Sequence, residues 1–149
     1  MKINLGCGKR NFGPEWIHID GQNYDHIVSN DIINFNYNNV HLIYASHVLE
    51  YFDQVEAINL LKKWKSKLIK GGILRLAVPN FKIISELYLK KQFKLESFIG
   101  PLYGRMEMNG QTIYHKTVYD EYSLKNLLNE VGFKKIQKWD WKKTEHSNH

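Results

Sequence analysis

Apolar residues recur along the chain in two rhythms, short unbroken runs and three- and four-residue spacings, an alternation that predicts an α/β fold. The runs at 2–7, 16–20, 26–29, 41–46 ("HLIYAS") and 73–78 ("ILRLAV") read as five strands in order. Between the fourth and fifth, Val55, Ile58, Leu61, Trp64 and Leu68 fall on one face, so a helix is expected over 53–70. Asp53 with Glu56 makes a capping box at its start, and Gly71-Gly72 is the expected stop. A second helix should follow Asn80 as cap, with Ile83, Ile84 and Leu87 inward. A third spans 123–131 with Ser123 as cap, and 133–141 reads as a final strand. Residues 95–116 carry little pattern beyond Asn109-Gly110, a hairpin-turn pair.

One spacing is unusual. Only Lys9 to Glu15 separate the first glycine turn from the second strand, too few for a crossover helix. The first connection is therefore expected to be a loop or a single turn.

At 149 residues the chain is expected to form a single domain over 1–149. Such a chain buries roughly 70 % of its unfolded surface. No apolar run reaches membrane-spanning length. No charged-then-apolar leader is present, so a cytoplasmic location is the expectation. Cys7 is the single cysteine, which excludes an internal disulfide and a cysteine-based zinc cluster. His146 and His149 have a spacing that suits a metal, but in a terminal tail they are expected to be solvated, and no metal is expected. The net charge of +6 raises nucleic acid as a partner, yet no RNA-binding motif accompanies the scattered lysines.

"NLGCGKR" ends the first strand, where a doubly wound sheet binds its ligands. A dinucleotide fingerprint needs a third glycine at position 11, where this chain has Asn11. The short connection also leaves no long helix for a pyrophosphate. Asp20, ending the second strand, is placed to accept ribose hydroxyls. Together these features suit a nucleoside ligand lacking a pyrophosphate, of which S-adenosylmethionine (SAM) is one.

At this point the chain resembles the class I (Rossmann-like) SAM-dependent methyltransferases, in the small variant with a loop for the first crossover. "NLGCG" is similar to their motif I, and "WIHID" to the strand ending in the ribose-binding acid. "SNDIINF" resembles the adenine segment, and "YASHVLEYF" the signature after strand four. "LIKGGILRLAVPNF" and "LKNLLNEVGFKKI" resemble the later helix-Gly-Gly-strand and the last helix with its strand. The resemblance implies a Rossmann-like doubly wound, mostly parallel sheet. After Trp141 only "KKTEHSNH" remains, so the family's seventh strand is expected to be missing.

The resemblance also implies that Gly6 and Gly8 flank the methionine moiety, with Cys7 between them. It places Asp20 on the ribose, Asp31 on the adenine amine, and Ser46 and His47 below the sulfonium. Asn4 stands where motif I usually has an acid, and Arg10 can face the ligand carboxylate. The "NPPY"-type motif of DNA amino-methylating enzymes is absent at the fourth strand.

His47 and His115 are the candidate bases, histidine being suited to proton removal near neutral pH. Glu50, three residues beyond His47, can orient it or pair elsewhere, and the second is the expectation. Phe12, Trp16 and Tyr44 are candidates to wall the adenine, and residues 103–108 to contact the acceptor. The expected function is methyl transfer from SAM to a small-molecule or glycan-precursor acceptor. The alternatives are an RNA methyltransferase, or a SAM-binding scaffold domain without catalysis.

Overall fold

The short apolar runs pair where their alternation lets both faces of a sheet be covered. In the computed structural model, which describes residues 1–147, β1 (Lys2–Leu5), β2 (Trp16–Ile19), β3 (Val40–Ser46) and β4 (Leu68–Ala77) form a parallel sheet. Its order is β2-β1-β3-β4, with β1 and β3 central. Register sorts the side chains into two kinds. Ile3, Ile17, Ile43 and Leu74 align across the sheet, as do Leu5, Ile19, Ala45 and Leu76. The intervening row reads His18, Asn4, Tyr44 and Arg75. One face is thus aliphatic and the other aromatic and polar.

The aliphatic face packs on α1 (Gln54–Lys67) through Ala57, Leu60, Leu61 and Trp64, and α4 (Glu121–Val131) adds Val131 to the same core. Asp53 and Glu56 close the expected capping box on α1. The helix ends at Lys67, short of the expected 70, because Leu68 turns extended and pairs with Val40. β4 therefore starts earlier than 73. Gly71-Gly72 lies inside it, at a bulge where β4 runs from Leu68 to Ile73 while β3 advances only from Val40 to Leu42.

α2 (Phe81–Leu89) starts at the expected cap, Asn80. α3 (Glu96–Tyr103) precedes a hairpin of β5 (Met106–Met108) and β6 (Gln111–Ile113) turned by Asn109-Gly110, as its residues foretold. α4 is capped by Asp120, and Ser123 supplies the reciprocal bond instead of being the cap itself.

Two expected strands do not form. Residues 26–29 contribute a single bridge, Ile19 to Ser29, because the Ile27 N–H is spent on a tight turn to the Tyr24 carbonyl. Residues 133–141 give no strand, since Lys135 takes a left-handed φ of 55° that breaks extended backbone. That segment is tied to β4 by a side chain, the Trp139 indole donating to the Leu76 carbonyl at 2.7 Å. Among the described residues the parallel sheet stops at β4. Residues 9–15 hold no helix, as their number required.

The aromatic face lacks helix cover. Its cluster is Phe12, Trp16, Leu42 and Tyr44 with Trp139, and no helix contributes to it among the described residues. Here the tail departs from expectation. His146 is 5 % exposed, its ring stacked on Phe12 at 4.6 Å and flanked by Trp16, Tyr44 and Trp139. It is buried because it fills the space a crossover helix would otherwise cover. His149 lies outside the described residues.

Candidate functional site

The glycine turn at the end of β1 is held from two sides. Gly6 has φ 62° and its N–H donates to the Ile19 carbonyl at 2.8 Å. A Cβ there would strike Val48, so both the left-handed backbone and the close approach require glycine. The Gly8 N–H donates to Asp20 Oδ2 at 2.7 Å, and the Gln22 N–H to Oδ1 at 2.8 Å. Asp20 is 6 % exposed and joins the ends of β1 and β2. Each carboxylate oxygen keeps a second lone pair for a ligand hydroxyl.

Beside this turn, at the ends of β1 and β3, is a hollow of about 90 Å³ lined by Asn4, Gly6, Cys7, Arg10, Tyr44, Ser46 and His47. All but Tyr44 are residues the sequence assigns to the cofactor. Asn4 is buried, and its Nδ2 has no hydrogen-bond partner among the described residues. An orphaned buried donor costs desolvation unless an acceptor reaches it. Arg10 supplies a guanidinium to the same hollow. Burial, then the Asp20 charge, pushes the Cys7 thiol up to about 12, so it lines the site as a neutral thiol and not as a nucleophile.

His47 follows β3 with φ 56°, a left-handed backbone unusual for a side chain larger than glycine. Its N–H donates to the Ala77 carbonyl at 2.9 Å, and its Nδ1 lies 3.1 Å from Glu50 Oε1. That bond is the main cause of a raised His47 pKa, opposed by burial and by the Arg10 charge. Glu50 is shared: it orients His47 at 3.1 Å, and the same oxygen lies 3.9 Å from His115 Nε2. The "HVLEY" spacing carried that signal: a three-residue offset closes through the turn at Leu49–Tyr51.

The remaining candidates are more dispersed. Asp31 is exposed and caps a turn, its Oδ1 accepting from the Ile33 and Asn34 N–H groups at 2.9 and 2.7 Å. The His115 ring is 5 % exposed, edge-on to Tyr51 and hydrogen-bonded to the Pro101 carbonyl, and lines neither hollow. Residues 103–108 lie toward β2. Met108 packs on Gly21, and the Gln22 side chain donates to the Glu107 carbonyl at 2.8 Å. Phe12, Trp16 and Tyr44 form the cage around His146.

A larger groove, about 1570 Å³, runs along the outer edge of β4 between α4 and residues 132–139, and reaches the mouth at Arg10, Ser46 and His47. Among the described residues no cluster of His, Cys, Asp or Glu could hold a metal, and no helix is long and apolar enough to cross a membrane.

Solved structures share this fold. A DhpI–SAM–HEP complex matches with a TM-score of 0.56 at 15 % identity, covering 88 % of this chain and 69 % of that one. A SAM-dependent methyltransferase from Clostridium acetobutylicum matches at 0.56 and 13 %, covering 87 % and 71 %. The chain has the class I methyltransferase fold. A Haloferax volcanii complex of the methyltransferase activator Trm112 with a methyltransferase also matches, at 0.52 and 12 %, covering 88 % of this chain and 59 % of that one. No family model and no curated sequence matches the chain. At these identities the likeness is one of fold, a Rossmann-like mostly parallel α/β sheet.

Proposed function

We propose that the chain is a SAM-dependent methyltransferase acting on a small-molecule or glycan-precursor acceptor. The observation that carries this reading is the orphaned Asn4 Nδ2, buried beside Arg10 in a hollow at the strand ends. Two donors without an opposing acid suit the carboxylate of an amino-acid moiety. Asp20 stands next to them with lone pairs for a ribose, and the left-handed Gly6 and Gly8 let a ligand approach the backbone. The structural neighbour DhpI carries SAM. Asp31, on the surface, would meet the adenine end.

When bound, SAM supplies a methyl group already activated on a sulfonium, so the protein's task is mainly alignment. Arg10 and Asn4 hold the carboxylate, and Asp20 holds the ribose. Ser46 and His47 face the space between donor and acceptor. His47 Nε2, the nitrogen not committed to Glu50, takes the proton from the acceptor. His115 stays behind Glu50 and shapes the acceptor side.

Arg10→Ala tests the orientation. It should weaken S-adenosylhomocysteine by about 1.5–3 kcal/mol, the range for a hydrogen bond to a charged group, and leave adenosine affinity unchanged. Equal loss for both ligands, or none, would place the amino-acid end elsewhere. A second reading, a SAM-binding domain without turnover, is favoured by the open edge of β4. Retained SAM binding with no methyl transfer to any hydroxyl- or amine-bearing acceptor would select it.

A further inference from the structure

Glu50 is 1 % exposed, yet no lysine or arginine pairs with it among the described residues. A buried carboxylate is costly unless it is partnered, so its partners are informative. Its Oε1 meets His47 Nδ1 at 3.1 Å and lies 3.9 Å from His115 Nε2. Its backbone carbonyl accepts from the Lys116 and Thr117 N–H groups at 2.8 and 3.3 Å. Its Oε2 and the Tyr119 hydroxyl are both buried without a hydrogen-bond partner among the described residues. Burial, then the Glu50 charge, pushes the Tyr119 phenol up to about 12, which keeps it a neutral donor.

The two histidines are held differently. His115 is locked: Nδ1 donates to the Pro101 carbonyl at 3.1 Å, Tyr51 packs edge-on, and Gly104 presses so close that a Cβ there would overlap the ring. The His47 side chain is 64 % exposed and lines the mouth. A carboxylate on one imidazole nitrogen fixes the proton there and leaves the other nitrogen as the acceptor. Glu50 therefore decides which nitrogen His47 offers.

We propose that Glu50 is a positioning residue for proton removal from the methyl acceptor. It holds His47 in the Nδ1–H tautomer, with Nε2 open at the mouth, and offsets the positive charge His47 gains with that proton. Through its backbone carbonyl, which accepts from the Lys116 and Thr117 N–H groups, the same residue anchors the segment on the acceptor side. Such a device serves an acceptor that must lose a proton, a hydroxyl or a protonated amine, and is of no use to a thioether. The inference rests on the methyltransferase reading with His47 as base. Arg10 is the opposing charge at His47, across from Glu50, and His115, Tyr51 and Tyr119 complete the titratable groups around the carboxylate.

The test is histidine side-chain proton–nitrogen correlation spectroscopy on the whole chain, free of ligand, across a pH series. Neutral His47 should carry its proton on Nδ1, and its midpoint should lie above the ordinary 6.5. Glu50→Gln keeps an acceptor oxygen but loses the charge, so the tautomer should persist and the midpoint should fall. The acid limb of the methyl-transfer pH profile should move down with it, at unchanged SAM affinity. An Nε2–H tautomer in the unmodified chain overturns the proposal and needs no variant. So does an unchanged midpoint in folded Glu50→Gln. Failure to bind SAM removes the methyltransferase reading, and this role with it. SAM binding with an Nε2–H His47 removes only the role given to Glu50.

Discussion

The two faces of the sheet solve the same covering problem by different means. On one face, rows of Ile, Leu and Ala meet the apolar stripe of α1, and Trp64 is fully buried there. On the other, the seven residues from Lys9 to Glu15 are too few for a helix, and aromatic rings from that loop and from the tail close over His18 and Tyr44. The first face needs volume and shape alone. The second buries polar groups that each require a partner, and it ends at the ligand hollow. Stability should therefore concentrate on the helix side, and function and pH sensitivity on the aromatic side.

Trp64→Ala should strike hardest. It empties a fully buried site and abandons the Ile32 carbonyl, which the indole reaches at 2.9 Å. A loss of about 3–5 kcal/mol in denaturant titrations is expected. Phe12→Ala removes the ring on which His146 stacks, but the loop and tail around it can relax. The expected cost is about 2–3 kcal/mol, at or below the low end for buried aromatics, with His146 resonances shifted. A larger loss at Phe12 than at Trp64 would reverse the comparison.

Asp20→Ala comes next, acting at the mouth. It should weaken SAM binding by roughly 1.5–3 kcal/mol, with part of the effect arising from release of the Gly8 and Gln22 amides. Unchanged affinity would remove Asp20 from the ribose.

The smallest effect is a pair of opposite pH slopes. Burial, then the nearby His26 charge, lowers the His18 pKa, and its Nε2 already accepts the Phe12 N–H at 2.8 Å. The unfolded chain then binds the proton more readily, so His18 makes the fold lose stability as pH drops below 6.5. His47 is raised by Glu50, so its contribution is complete below 6.5 and lost as pH climbs through the folded value. His18→Gln should flatten the acid side of a stability–pH curve, and His47→Gln the neutral side. Matching slopes from both would contradict the assignment.

The helix side was the more legible one. The Asp53–Glu56 box and the Asn109-Gly110 turn are local patterns that formed where their residues pointed. Of the expected stripe, Leu61 and Trp64 are buried, while Val55 is 70 % exposed and Leu68 opens β4. The glycine turn was also legible as a structure, because Gly6, Gly8 and Asp20 are fixed by backbone geometry within twenty residues. What escaped was long-range. Burial of His146 depends on Phe12, Trp16 and Tyr44, each more than a hundred positions away, and Glu50 meets His115 through the packing of α3. Residues 133–141 alternate well enough for a strand, but pairing depends on backbone continuity, which Lys135 interrupts.

The central claim is that the glycine turn, Asp20 and the hollow beside them together bind a nucleoside with an amino-acid end and no pyrophosphate, the hollow taking the amino-acid end. Calorimetric titration of the purified chain with SAM, S-adenosylhomocysteine and NAD tests it most directly. Saturable binding of the two adenosyl ligands, with none for NAD, is the expected result. Binding of NAD alone, or of no ligand, would contradict it.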